Sequence, residues 1–197
     1  MKLWKRWTAA VLAAAMALLL LAACGPSGPS APDAPDKPGS SETGKDPTDE
    51  KTEEQKKAAV VEALNTVRKN YGNNTPLELN EQACAFAKKM AQVQLDGVNG
   101  KYGKNPSTNR DYTAACATVR KKMVGEKTSI GFGALQGAYP DAYWFKKWAD
   151  KTEGVSAERN NKLVKSKEAT LVGVGVVQNT DPKTMDKIPF MVAVMTY

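Results

Sequence analysis

Histidine does not occur anywhere in the 197 residues. Its absence removes the one side chain whose ordinary pKa lies near neutrality, and with it the neutral ring ligand that most zinc sites use. A serine or cysteine nucleophile activated by imidazole is excluded on the same ground. Cysteine is scarce, with three residues, so no thiolate cluster is available for a metal either. Acidic residues are outnumbered, 21 against 28 basic ones, which leaves a net charge of +7. After residue 23 no apolar run approaches the roughly 20 residues of a membrane-spanning helix. The carboxylates Glu126, Asp141, Glu153 and Glu158 show none of the loop spacing of a calcium site. No metal and no cofactor is expected.

What is present begins with an export pattern. MKLWKRW places Lys2, Lys5 and Arg6 ahead of an uncharged stretch, Ala9 to Ala23, that is short for a spanning helix. The stretch closes on Leu21-Ala22-Ala23-Cys24, which resembles the lipobox of bacterial lipoproteins. That resemblance implies a lipoprotein signal peptide over 1–23 and acylation of Cys24, and two or three acyl chains hold a protein stably at a bilayer. The expected location is the cell membrane, lipid-anchored, on its extracytoplasmic face. From Gly25 to Lys51 the chain is rich in Pro, Gly, Ser and Asp, with no aromatic residue and no Val, Ile or Leu. Such a composition buries too little apolar surface to offset chain entropy, so 24–51 reads as a tether.

The remaining residues, 52–197, are the right size for one domain. From Glu53 onward there are 22 Lys and Arg and 15 Asp and Glu, so the basic balance belongs to this domain. Exported and basic, it is drawn toward anionic headgroups or acidic wall polymers and away from nucleic acid. Cys84 and Cys116 remain once Cys24 is assigned to lipid. Both a disulfide between two helices and two separate buried thiols stay open.

Periodicity predicts four helices and two strands. Thr52 with Gln55 forms a capping box ahead of Val60, Leu64, Val67 and Tyr71, and Gly72 stops the run. Asn80 caps a second helix from Glu81 to about Leu95, with Ala83, Ala87, Met90, Ala91 and Gln94 on its buried stripe. Residues 96–111 read as a long loop. Tyr112, Cys116, Val119 and Met123 mark a third helix ended by Gly125, and TSIGFGALQGAYP follows as an irregular glycine-rich segment. Pro140 opens a fourth helix with Trp144 and Trp148 on one face, both assigned to the core. AERNNKL reads as a basic, amide-rich turn. ATLVGVGVVQN and IPFMVAVMTY are strands joined by a hairpin loop at Asp181-Pro182, with Gly173 and Gly175 there for close helix packing. Helices followed by strands give an α+β domain.

The order of these motifs resembles the CAP superfamily, the cysteine-rich secretory, antigen 5 and pathogenesis-related 1 domain, in its bacterial form. Leu64, Asn65 and Arg68 match a Leu-Asn-x-x-Arg helix, and Pro76-Leu77 follow as they do in that family. GFGAL from Gly131, the helix with Trp148, AERNNKL from Ala157 and VGVGVV from Val172 stand where the family has its later motifs. The resemblance implies a three-layer α/β/α sandwich with a central, mainly antiparallel sheet. Departures are as informative. Where the family has the histidine of Gly-His-Arg this chain has Glu158, and where it has the glutamate of Gly-Glu-Asn this chain has Phe132. A second family histidine falls in the 96–105 loop, where Asn99, Tyr102 and Asn105 are the polar residues at hand.

A ligand-binding groove is therefore expected around Glu158, Arg159, Asn161, Phe132, Asn99 and Tyr102. Arg159 suits a carboxylate or phosphate, and Asn161 suits tying down backbone. Ser129 and Ser156 have no activating base in view. The expected function is a non-catalytic binding domain for an envelope ligand, whether anionic polymer, lipid or protein. A hydrolase or peptidase independent of histidine and a purely adhesive module are the alternatives.

Overall fold

The computed structural model describes residues 51–154 and 156–197, which belong to one compact unit. The signal segment 1–23, Cys24 and the tether up to residue 50 lie outside the described residues. Helix α1 spans Glu53–Asn70, and Thr52 and Gln55 close the expected capping box at its start. Strand β1 (Glu78–Leu79) leads into α2 (Glu81–Val98), capped by the Asn80 side chain on Ala83 N–H. A short 3-10 turn (Pro106–Thr108) precedes α3 (Arg110–Arg120). Then come β2 (Gly131–Gln136), α4 (Ala142–Asp150), α5 (Ala157–Lys165), β3 (Leu171–Gln178) and β4 (Phe190–Thr196).

The four strands form one sheet in the order β1-β3-β4-β2. β4 is antiparallel to both β3 and β2, and the two-residue β1 runs parallel to β3. Alternation along the strands sends side chains to two separate cores. Val172, Val174 and Val176 of β3 and Val192 and Val194 of β4 join Val60, Leu64, Phe145, Trp148 and Leu163 under α1, α4 and α5. Met191, Ala193 and Met195 of β4 join Ala83, Ala87, Met90 and Cys116 under α2 and α3. Helices thus cover both faces of a small sheet, a mixed α+β fold of the general α/β/α sandwich type. Among the described residues both cores lie after Thr52, within the compact unit Pro47–Tyr197. Among the described residues no helix is long and apolar enough to cross a membrane.

Gly173 and Gly175 do have the packing role read from the sequence. A Cβ on Gly173 falls 2.1 Å from the Ala83 carbonyl carbon, and one on Gly175 falls 2.0 Å from Lys88 N. Helix α2 lies directly on the backbone of β3, with no side-chain layer between them.

Several segments differ from the sequence expectation: α3 ends at Arg120 and leaves Met123 exposed, and Trp144 is half-buried instead of lying in the core with Trp148. GFGAL is a paired strand, in register with β4 from Gly131 opposite Thr196 to Gln136 opposite Met191. Its glycines are there for contact, since a Cβ on Gly131 meets Leu163 N at 2.2 Å and one on Gly133 meets the Trp148 ring at 2.5 Å. AERNNKL is a helix, because Ala157, Asn160, Leu163 and Val164 form a buried stripe that its amides and charges disguise. Helix α2 runs to Val98, three residues past the expected end. Gln92 donates to Asp96 Oδ1 at 2.7 Å and Lys101 pairs with Asp96 Oδ2 at 2.7 Å, which carries the helix on. Cys84 and Cys116 are free thiols with separate partners: Val174 N–H donates to Cys84 Sγ and the Gln94 amide to Cys116 Sγ. The disulfide alternative is not formed in the structure.

Residues of the Leu-Asn-x-x-Arg helix find concrete work. Leu64 is fully buried. The Asn65 amide donates to Leu77 O at 3.1 Å and accepts from Leu77 N at 2.8 Å, pinning the Pro76-Leu77 segment to α1. Arg68 is buried and donates to the carbonyls of Val164 and Ala169, where α5 gives way to β3.

Candidate functional site

At the free edge of β2 a groove of about 800 Å³ opens between α3 and the N-terminal half of α5. Phe132, a buried member of the core on the α2–α3 face of the sheet, lines it. Two guanidiniums converge on that ring. Arg159 Cζ stands 5.1 Å from the centroid and Arg120 Cζ 5.9 Å, both within cation–π range. Arg120 comes from the last turn of α3 and Arg159 from the first turn of α5, so the pair brackets the groove from its two walls. Burial, and next the positive charge of Arg159, pull the Arg120 pKa below the ordinary arginine value. The Arg120 Nε is buried with no hydrogen-bond partner.

The inner end of the groove is a chain of polar contacts. Tyr112 O–H donates to Gln94 Oε1 at 2.8 Å, and the Gln94 amide donates on to Cys116 Sγ at 3.5 Å. Desolvation pushes the Tyr112 pKa up to about 12 and raises that of the Cys116 thiol, so both hold their protons at neutral pH. Tyr102 packs edge-on against Tyr112, with ring centroids 5.5 Å apart. On the opposite wall the Asn160 amide, oriented so that its nitrogen donates, reaches Phe132 O at 3.0 Å and Ser156 O at 3.1 Å. That bond ties α5 to the edge strand, whose outer carbonyl would otherwise lack a partner.

Of the six residues expected in the groove, the structure brings Glu158, Arg159 and Phe132 together there. Asn161 faces away: its amide donates to the carbonyls of Trp148 (3.1 Å), Lys151 (2.7 Å) and Ala157 (3.0 Å), splicing α4 to α5. The expectation that it ties down backbone fits these bonds, and its neighbour Asn160 takes the place at the groove. Asn99 is engaged elsewhere, donating to Asn179 Oδ1 and accepting from the Thr184 hydroxyl, so it braces the β3–β4 loop. Tyr102 touches the site only through Tyr112. Arg120, Gln94 and Tyr112 were not read as site residues. One signal was available for Arg120, which falls at helical spacing on the Tyr112–Cys116 stripe of α3, where a charge has no place in a plain core.

The chemistry on offer is recognition of an anion. Glu158 is exposed and pairs with Lys162 at 2.7 Å, and this bond holds its carboxyl below the ordinary glutamate value. It lacks the raised pKa that a general acid at neutral pH needs. Lys151 Nζ donates to Ser156 Oγ at 2.8 Å, a serine–lysine contact that the sequence did not suggest. In that contact the Lys151 side chain is the donor and the Ser156 hydroxyl the acceptor. Among the described residues no three His, Cys, Asp or Glu side chains come together to hold a metal ion. No protein-family model matches the sequence, and no curated protein is significantly similar to it.

Proposed function

We propose that the chain is a membrane-tethered, extracytoplasmic binding domain of CAP-like type that captures an anionic envelope ligand without catalysis. The observation that carries this reading is the convergence of Arg120 and Arg159 on Phe132. Two cations held around one ring repel each other, and a carboxylate or phosphate seated between them offsets that repulsion and accepts charge-assisted hydrogen bonds. Phe132 offers the same ligand an apolar face. A wall polymer carrying carboxylates or phosphates fits this chemistry, and anchoring at Cys24 would hold the domain within reach of one.

The CAP-like assignment rests on the order of motifs, on the helices that cover both faces of a mostly antiparallel sheet, and on the matched work of Leu64, Asn65 and Arg68. With Phe132 and Glu158 in place of a glutamate and a histidine, the groove favours an organic anion over a metal. The lowered Glu158 carboxyl counts against a hydrolase.

The test is co-sedimentation of residues 52–197 with isolated cell-wall sacculi at low and high salt. The expected result is binding that survives high salt and weakens about tenfold or more in the Arg120→Gln, Arg159→Gln double variant, as loss of charge-assisted hydrogen bonds predicts. Binding that vanishes with salt, or that ignores the double variant, would sink the groove reading.

A further inference from the structure

We infer that α4 carries a second contact surface, separate from the groove, built to rest on an anionic lipid bilayer. The helix sequence is AYWFKKWAD. Phe145, Trp148 and Ala149 make its buried face, which accounts for the core and leaves Tyr143 and Trp144 unexplained. Tyr143 is 64% exposed, the most exposed large apolar residue among the described residues, and Trp144 is half-buried beside it. Exposed neighbouring aromatics on a soluble domain mark a contact site.

The surroundings are cationic. Lys147 Nζ lies over both rings, 4.9 Å from the Trp144 centroid and 5.8 Å from that of Tyr143, so an ammonium and the two aromatics share one surface. The adjacent Lys146 pairs with Asp150, one turn further on, at 2.5 Å, and Tyr71 O–H donates to the other oxygen of the same carboxylate. Lys165 sits 5.1 Å over the Tyr71 ring. Three tyrosine and tryptophan rings (71, 143, 144) thus interleave with three lysines (146, 147, 165) against two acids, Asp150, engaged by Lys146 and Tyr71, and Asp141, whose carboxylate accepts from Trp144 N–H.

Amphipathic rings with lysines among them are the composition of the membrane–water interface, where the rings sit at headgroup depth and the ammoniums meet phosphate. A glycan platform needs ring faces that lie in one plane. Here the Tyr143 and Trp144 planes cross at 78° with centroids 5.6 Å apart, so one ring shows its edge wherever the other shows its face. The patch shares no residue with the groove, which is lined by residues of α2, α3, β2 and α5. The inference extends the reading of a bilayer-anchored chain, yet it stands on residues 71–165 alone.

The experiment floats residues 52–197 with vesicles of phosphatidylcholine, or of equal parts phosphatidylcholine and phosphatidylglycerol, some carrying brominated acyl chains. Trp144 and Trp148 are the two tryptophans of this fragment, and Trp148 is buried. The expected result is flotation with the anionic vesicles, with bromine quenching of emission that disappears in Trp144→Phe. Affinity falls about tenfold or more in Lys146→Gln, Lys147→Gln, as the headgroup attraction of two lysines predicts. Equal binding to neutral vesicles, no flotation with anionic ones, or affinity indifferent to the lysines overturns the inference. So does binding to sacculi alone, which assigns the charge to a polymer. Quenching in the unmodified fragment reads the contact without any substitution, and failure here leaves the groove test untouched.

Discussion

Tyr112 joins two roles in one hydroxyl: it orients Gln94 at the inner end of the groove, and its burial raises its pKa to about 12. An unfolded tyrosine ionises near 10. Between those values the folded chain keeps a proton that the unfolded chain releases, so unfolding is increasingly favoured as pH rises. The stabilisation is whole below about pH 10 and is lost as pH climbs through about 12. Tyr197, fully buried at the end of β4, is shifted in the same direction by burial and adds to the slope. Urea midpoints measured from about pH 7 upward should start to fall above about 8.5, where the unfolded Cys84 and Cys116 thiols ionise and the buried ones do not, and fall further above about 10; Tyr112→Phe should flatten part of the later fall. Glu158 behaves in the opposite sense. Its carboxyl is lowered by Lys162, so whatever this exposed pair contributes is present above the ordinary glutamate range and lost in acid.

Helix α2 and strand β3 depend on each other through two missing side chains. Gly173→Ala puts a methyl group 2.1 Å from helix backbone, which cannot turn aside as a side-chain tip would. The expected cost is about 3 kcal/mol or more, read as a lower urea midpoint with an unchanged slope. This contact was legible in the sequence, because glycines alternating along an apolar run have few other uses. The capping box at Thr52, the Asn80 cap and both long strands were legible for the same kind of reason: each is a local pattern with one physical meaning. β2 and α5 were not. In β2 the glycines that let α5 and Trp148 approach also look like loop formers, and only pairing with β4 distinguishes the two. In α5 the adjacent Asn160 and Asn161 argue against a helix until their partners are known, one on the edge of β2 and the other on the end of α4. Half of the expected groove followed from Phe132, Glu158 and Arg159. Arg120 did not, since its meeting with Arg159 joins residues 39 apart in the chain, and no spacing rule reports it.

At the scale of the whole molecule, two cores share one sheet, so neither can melt while the other keeps its floor. Trp148 reports from the α1–α4–α5 side and Tyr112 from the α2–α3 side. Tryptophan fluorescence, near-ultraviolet tyrosine signals and far-ultraviolet circular dichroism should therefore fall on a single urea transition. Separate transitions for the two faces would contradict a shared floor. The close seat of α2 on β3 has a last consequence. A helix resting on bare strand backbone behaves like a shaft in a notch: a slide of one residue would bring a side chain down where only glycine's hydrogen fits. Gln94 lies six residues beyond Lys88 on that shaft, about 9 Å along its axis, so its position is dictated by the strand. One wall of the groove is then a fixed template, and a change of ligand must come from new side chains on the other walls, because α2 itself cannot be re-aimed.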